Sequence, residues 1–180
     1  MNNPGLWSDV RGVYSRQMII PVIKTMKEIG FKKAMVFHGR SGNGAGGMDE
    51  ISPVAESCIA ELSQEGDIVS HTLLPEEIGL CHRLTVEEIS GGDNPRKEAW
   101  RLLKVLTGRD KGALYEAICI NTAPICYIAG EVQNLKEGGN RARRIIDSGC
   151  AIDKLMEWVQ AQNRSAEMGK EHLESLLKEI

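Results

Sequence analysis

Apolar residues recur at helical spacing near the start of the chain, and short β-like runs lie on either side of that segment. Positions three and four apart are apolar between residues 18 and 29, which predicts an amphipathic helix that Ser15 caps and Gly30 ends. Residues 10–14 and 33–37 read as short strands. The order of strand, helix and strand predicts a βαβ unit with a parallel pair of strands.

The rest of the chain divides into a hairpin and a helical part. Residues 57–62 and 67–73 mix polar and apolar positions around a turn at 64–66, which predicts a hairpin at a sheet edge. Beyond Pro75 the pattern is helical, in four segments. Asn94 caps the first of these, Pro95 opens it and Gly108 ends it. The second, residues 113–129, is apolar nearly all round, which indicates a buried helix that Pro124 bends or breaks.

These segments predict an α/β fold: a partial, mostly parallel sheet with an edge hairpin, flanked by helices and followed by a helical C-terminal half. Two further helical segments follow, over residues 132–149 and 152–159. We assign residues 1–160 to one α/β domain. Residues 161–180 form a polar tail, either an exposed helix or a frayed end.

Composition narrows the classes of function. The chain has 180 residues, of which 42% are hydrophobic and 26% charged, as expected for one globular domain. A net charge of −3 gives no general attraction to nucleic acid or to an anionic membrane. The five cysteines form no CxxC pair or Cys/His cluster, and the longest uncharged stretch is too short to span a bilayer, so we expect a reduced, cytoplasmic protein.

A glycine-rich loop is the one place where the chain could bind a hard cation. It follows the strand at 33–37 and the residue His38, and it ends in the adjacent carboxylates Asp49 and Glu50. Mg²⁺ bound together with a substrate phosphate needs only one or two protein carboxylates. The alternative is a solvated surface loop without bound metal. The residue types alone leave both readings open.

Several stretches of the chain together resemble one family. They include RGVYS at 11–15, AMVFHG at 34–39 and GMDEIS at 47–52, followed by residues 84–85, 91–93, 120–130 and 142–155. In this order they resemble the C-terminal half of the α/β domain of anthranilate phosphoribosyltransferase, over residues 3–160. The resemblance implies transfer of a phosphoribosyl group from phosphoribosyl pyrophosphate to anthranilate, in tryptophan biosynthesis.

The same resemblance implies roles for four residues. Asp49 and Glu50 would bind the Mg²⁺ that accompanies phosphoribosyl pyrophosphate. Asn3 would lie near the anthranilate entrance. His38 would face the substrate at the carboxyl end of its strand, or else form a hydrogen bond with the neighbouring loop. No residue of this chain is assigned as a catalytic acid or base.

The chain also departs from the family pattern. It has no glycine-threonine-glycine-glycine-aspartate phosphate loop and no lysine-histidine-glycine-asparagine stretch, and its loop at 40–48 is longer than usual. We therefore expect half an enzyme, inactive until a complementing chain or an oligomer completes the site. The alternative is a non-catalytic interaction module, or a remnant, of the same fold.

Overall fold

A sheet of five strands forms the centre of the part of the chain that the computed structural model describes, residues 7–42, 46–80, 84–162 and 165–180. Its strands are β1 (Ser8–Gly12), β2 (Lys33–Arg40), β3 (Gly47–Met48), β4 (Ser57–Leu62) and β5 (Ile68–Leu73). The order across the sheet is β1-β2-β4-β5, and β3 pairs with the end of β2. The edges of the sheet are therefore β1, with β3 beyond its carboxyl end, and β5.

The predicted βαβ unit is confirmed. Strands β1 and β2 are parallel, with Ser8 opposite Lys33 and Gly12 opposite Phe37. The helix between them, α1 (Ile19–Ile29), follows a short 3₁₀ turn. It ends at Gly30, whose φ of 110° lies in the left-handed region that glycine tolerates best.

The fold class is α/β as expected, but the sheet is less parallel than the sequence suggested. Among the described strands, only β1 and β2 are parallel, whereas β2–β3, β2–β4 and β4–β5 are antiparallel. The reason lies in the connections. No helix crosses over between β2 and β4, and a parallel partner requires such a crossover. The predicted edge hairpin of β4 and β5 is confirmed.

Helices cover both faces of the sheet. The first face packs against α1, and the second packs against the long helix α4 (Ala113–Ile128). Buried side chains of α1 meet even-numbered positions of β2 and β4: Ile19, Ile23, Met26, Ala34, Val36, Ala60 and Leu62. Buried side chains of α4 meet odd-numbered positions: Met35, Phe37, Ile59, Ile120, Ala123 and Ile128. The alternation follows from the two-residue period of a strand.

The helical half contains more elements than expected. The other helices are α2 (Val86–Ile89), α3 (Pro95–Leu106), α5 (Leu135–Asp147), α6 (Cys150–Gln162) and α7 (Ala166–Lys178). The Asn94 cap is confirmed, because its side chain accepts hydrogen bonds from the amides of Arg96 and Lys97. The buried helix is confirmed as α4, which continues through Pro124. Among the described residues, no helix has the length and apolarity that crossing a membrane requires.

The tail folds back onto the helical half. Within it, α7 packs against α6 and α3, and its residue Leu173 is buried. The Arg96 guanidinium on α3 lies 2.8 Å from the Glu179 carboxylate and stacks over the Trp100 ring. Residue 160, the predicted boundary of the α/β domain, lies within α6. The boundary itself stays a prediction.

The buried thiol of Cys119 makes stability dependent on pH. Cys119 is 0% exposed between α4 and α5, and burial raises its pKa from near 9 to about 12. Above about pH 9 the unfolded chain loses this proton while the folded chain keeps it. The free energy of unfolding should therefore fall as pH rises above 9, with a slope for this group that approaches about 1.4 kcal/mol per pH unit between about pH 10 and 11. Urea unfolding between pH 9 and 11 measures this slope.

In Cys119→Ala, the free energy of unfolding should depend less steeply on pH, because the contribution of one buried thiol is lost. Cys150→Ala is the matched control, because Cys150 is exposed and its replacement leaves the buried thiol of Cys119 in place. Equal slopes for the two variants would contradict the assignment.

Candidate metal centre

The two candidate metal ligands lie beside the carboxyl ends of β1 and β2. They directly follow β3, which runs antiparallel to the last residues of β2, with Gly39 opposite Met48. Both Asp49 and Glu50 are exposed. In open α/β sheets, ligands bind outside the carboxyl ends of the parallel strands. The carboxylates therefore lie at the end of the sheet where a ligand is expected, beside the carboxyl ends of its two parallel strands.

Two glycines let the backbone of this acidic segment lie directly against the sheet. A Cβ atom at Gly12, the last residue of β1, would lie 1.5 Å from the Asp49 carbonyl oxygen. A Cβ atom at Gly39 would lie 2.4 Å from the Glu50 carbonyl oxygen. No real Cβ atom approaches an oxygen so closely, so only glycine fits either position. The ends of β1 and β2 thus determine the position of the backbone that carries the two carboxylates.

A side chain from α4 holds the next residue. The Ile51 amide donates to Asn121 Oδ1 at 2.7 Å, and Asn121 Nδ2 donates to the Ile51 carbonyl at 3.0 Å. The same nitrogen lies 3.0 Å from the Ala117 carbonyl one helical turn earlier. Asn121 therefore satisfies both backbone groups of Ile51 as a neighbouring strand would, and it ties the acidic segment to the core helix.

A buried serine holds the other end of the segment. Ser52 is 0% exposed, and its hydroxyl donates to the Arg40 carbonyl at 2.6 Å. The same oxygen accepts hydrogen bonds from the amides of Val54 and Ala55, while the Ser52 amide donates to Ser57 Oγ at 2.8 Å. The backbone that carries the carboxylates is therefore fixed on both sides.

His38 connects β2 to the residue that follows β1. Its Nδ1 lies 2.8 Å from the Val13 carbonyl oxygen, and because that oxygen can only accept, Nδ1 carries the proton. A Cβ atom at Gly47 would lie 2.2 Å from His38 Nε2, so the ring packs directly against the glycine of β3. This placement matches the hydrogen-bonded alternative, and a substrate contact for His38 stays a prediction. Asn3 lies outside the described residues.

The donor set fits Mg²⁺ held together with a phosphate ligand. Among the described residues, no cluster of three or more His, Cys, Asp or Glu side chains forms a candidate metal site. An all-protein site for Ca²⁺ or Zn²⁺ needs more ligands than Asp49 and Glu50 supply. Mg²⁺ instead keeps several waters and takes one or two carboxylates with substrate phosphates. The assignment of Asp49 and Glu50 to Mg²⁺ stays a prediction.

An apolar groove of about 460 Å³ borders the acidic segment. It lies between Ser41 and β3 on one side, α2, and half-buried residues of α4. Glu50, Asn121 and Ser41 are polar groups at its border, together with Ser90 of the segment that follows α2. The apolar lining comes from Met48, Pro53, Val86, Ile89, Leu114, Ala117 and Ile118. A ligand next to Glu50 would therefore have an apolar wall on one side.

Replacing Asn121 with alanine should destabilise the chain by about 2 kcal/mol, because two backbone groups of the nearly buried Ile51 lose their partner. The melting temperature should fall by roughly 4–8 °C. Thermal unfolding followed by circular dichroism measures the change.

Thr122→Ala is the matched control. The Thr122 hydroxyl bonds only to the Ile118 carbonyl within α4, so its loss should lower the melting temperature much less. Equal losses for the two variants would contradict the role of Asn121.

Comparison with known proteins supports a relationship over most of the chain. The family model described as the glycosyl transferase family, a/b domain, matches residues 1–152. The anthranilate phosphoribosyltransferase of Methanococcoides burtonii is 37% identical over 161 residues, which cover 89% of this chain and 43% of that protein. The enzyme of the same name from Methanobrevibacter smithii is 32% identical over 164 residues, covering 91% and 46%.

Solved structures agree with this comparison. The anthranilate phosphoribosyltransferase of Thermus thermophilus superposes with a TM-score of 0.67 at 31% identity, over 78% of this chain and 39% of that one. A variant of the Saccharomyces cerevisiae enzyme with Mg bound has a TM-score of 0.70 at 24% identity and shows the shared fold. The chain thus spans less than half the length of these relatives. Because the model of the glycosyl transferase family, a/b domain, matches residues 1–152, this chain belongs to that family.

Proposed function

We propose that this chain supplies the metal-binding side of a site that transfers a phosphoribosyl group from phosphoribosyl pyrophosphate to anthranilate, a step of tryptophan biosynthesis. The observation that carries the proposal is the pair of exposed carboxylates, Asp49 and Glu50, fixed at the ends of β1 and β2. Relatives with the name anthranilate phosphoribosyltransferase align over this region. The exposed carboxylates and the alignment with these relatives both concern the segment that contains Asp49 and Glu50.

The chemistry of this reaction explains why such a pair is needed. Pyrophosphate leaves C1 of the ribose and takes the bonding electrons, so negative charge grows on the leaving group. Mg²⁺ held by Asp49 and Glu50 would neutralise that charge. Gly12, Gly39 and Asn121 hold the backbone that carries the carboxylates, so that little backbone reorganisation is needed when the charge develops. The apolar groove beside Glu50 limits water on one side of the site.

The site needs a second part. Asp49 and Glu50 are two exposed acidic groups beside the carboxyl ends of β1 and β2 in the described part of the chain, which matches 43% of the Methanococcoides burtonii relative. We therefore propose that a complementing chain, or an oligomer, provides the groups that hold the phosphates and the anthranilate. The isolated chain should show no turnover. Free thiols at Cys58, Cys119, Cys126 and Cys150 support a cytoplasmic location.

The test combines this chain with the part of the Methanococcoides burtonii relative that it does not match, produced in the same cell. Anthranilate consumption is measured with phosphoribosyl pyrophosphate and Mg²⁺. We expect turnover from the combination and none from either chain alone. Absence of turnover from a complex in which both chains are folded would count against the proposed function.

A second candidate is a non-catalytic interaction module of the same fold. Three large apolar side chains favour it, because Trp7, Tyr14 and Ile125 are 67%, 75% and 56% exposed. A contiguous apolar patch formed by such side chains would mark a protein contact. Calorimetric titration with phosphoribosyl pyrophosphate and Mg²⁺ separates the two candidates. A complemented chain that binds no phosphoribosyl pyrophosphate would favour the module.

A further inference from the structure

A polar cavity of about 320 Å³ lies at the end of the sheet opposite to the candidate metal centre. Lys33, the first residue of β2, borders this cavity, whereas Gly39, which packs against Glu50, lies six residues further along the same strand. Six residues of strand span about 20 Å. The last turn of α4 and the residues that follow it form another wall. A ligand here would therefore be separate from a ligand at Asp49 and Glu50.

Two opposite charges line this cavity without forming an ion pair. Lys33 and Glu61 are both half-buried, and the alternation of side chains places both on the face of the sheet that packs against α4. Met35 is opposite Glu61, so Lys33 is a diagonal neighbour of Glu61, and long side chains in this arrangement can meet. Among the ion pairs between described residues, however, none includes Lys33 or Glu61. Both charges can therefore bind a ligand.

A tyrosine of α4 holds the Glu61 carboxylate. The Tyr127 hydroxyl donates a hydrogen bond to Glu61 Oε1 at 2.9 Å. Burial, followed by this hydrogen bond, raises the pKa of Tyr127, so its hydroxyl remains a donor at neutral pH. The other carboxylate oxygen, Oε2, accepts no hydrogen bond from the described residues. One oxygen of a fixed carboxylate is therefore left for a cationic group.

The end of α4 adds negative potential to the same cavity. The helix ends at Ile128, its last turn carries no basic side chain, and no described amide donates to the carbonyl oxygens of Ile128 and Gly130. Partial negative charge gathers at such a helix end and favours a nearby cation. A Cβ atom at Gly130 would meet no atom within 4 Å, so the space beside these carbonyls is open.

We propose that this cavity binds a free α-amino acid as its zwitterion. The ammonium group donates to Glu61 Oε2 and to the carbonyls at the end of α4, while the carboxylate accepts from the Lys33 ammonium. A ligand with a single charge leaves either Lys33 or Glu61 unpaired, whereas an α-amino acid carries both charges on one carbon atom and satisfies both. The volume suits a small metabolite. The site is independent of the proposed function.

Glu65 is the other carboxylate that Lys33 influences. The pKa of Glu65 is lowered, first by a hydrogen bond with Ser63, then by a backbone hydrogen bond and least by the charge of Lys33. Because Glu65 is exposed, water screens its attraction to Lys33. Glu65 does not line the cavity. It is therefore the matched control for Glu61.

The first test measures binding to the unchanged chain. Each standard L-amino acid is added singly to the isotope-labelled chain, and amide chemical shifts are followed by NMR. We expect at least one of them to bind with a Kd below about 1 mM and to shift the amides of Gly130 and Gln133, which border the cavity. If no L-amino acid at about 10 mM shifts these two amides, the inference is overturned.

The second test removes each charge in turn. Lys33→Met and Glu61→Gln keep the length of the side chains, and glutamine keeps an acceptor for Tyr127. Each variant should bind the tightest of the L-amino acids at least about tenfold more weakly, because a charged hydrogen bond is lost. Glu65→Gln should bind it as the unchanged chain does. Equal binding by all three variants, or equal loss in all three, contradicts the site.

The third test assigns each charge of the ligand to its partner. The same amino acid is used with its carboxylate amidated or with its amine acetylated, and each analogue should bind the unchanged chain at least about tenfold more weakly. Lys33→Met should not weaken binding of the amidated analogue further, and Glu61→Gln should not weaken binding of the acetylated one. An amidated or acetylated analogue that binds as tightly as the amino acid shows that one charge suffices, and it overturns the inference.

Discussion

Replacing both Asp49 and Glu50 with alanine is expected to abolish turnover in the complemented protein. Under the proposed function the two carboxylates bind Mg²⁺, and without them the departing pyrophosphate would lose the cation that neutralises its charge. Because such electrostatic stabilisation is often the largest catalytic contribution, the rate should fall by at least about a thousandfold. Initial rates of anthranilate consumption at saturating phosphoribosyl pyrophosphate measure the loss.

The control must remove the same charge elsewhere. Glu65 and Asp67 are exposed at the turn between β4 and β5, away from the carboxyl ends of β1 and β2. Their double alanine variant should keep the rate within about twofold, because surface substitutions of this kind rarely matter. The melting temperature of Asp49→Ala/Glu50→Ala should also be close to that of the unchanged chain, since both side chains are exposed. A rate within tenfold of the unchanged protein would remove the metal assignment.

Local patterns predict the elements of this fold better than their arrangement. Helix α1 and the hairpin β4–β5 follow from spacing and turn residues, which act over a few positions. The position of β4 beside β2 depends instead on backbone pairing between distant segments, which single-chain patterns do not encode. The prediction of a mostly parallel sheet is wrong because it extends the arrangement of one parallel pair to the other strands. Helix α2, with only four residues, is too short for a periodic signal.

The sequence likewise predicts one part of the candidate site and not the other. The sequence presents Asp49 and Glu50 as candidate metal ligands, because it places two adjacent carboxylates after a glycine-rich loop. What holds them is not visible. Asn121 binds Ile51 across 70 positions of sequence, and its type alone does not distinguish it from any other polar residue of a buried helix. A polar amide in an otherwise apolar helical run was the available signal, because such a group needs a partner once the helix packs against the core.

The second large effect is expected at Gly12. A Cβ atom there would lie 1.5 Å from the Asp49 carbonyl oxygen and 2.9 Å from the Asp49 Cβ atom. A backbone oxygen cannot move aside as a flexible side chain does, so either β1 or the acidic segment must shift. We expect Gly12→Ala to destabilise the chain by about 3 kcal/mol or more. The melting temperature should fall by roughly 6–12 °C, measured by thermal unfolding.

Gly91→Ala separates this effect from the general consequence of adding a methyl group. A Cβ atom at Gly91 would make only an ordinary contact, 3.6 Å from Glu98 Oε2. Because alanine also restricts the unfolded chain, this control should keep or slightly raise the melting temperature. If Gly12→Ala relaxes by displacing Asp49 instead of unfolding, its stability is kept, but turnover of the complemented protein should fall as in the carboxylate variant. A Gly12→Ala protein with full stability and full turnover would show that Asp49 does not depend on the end of β1.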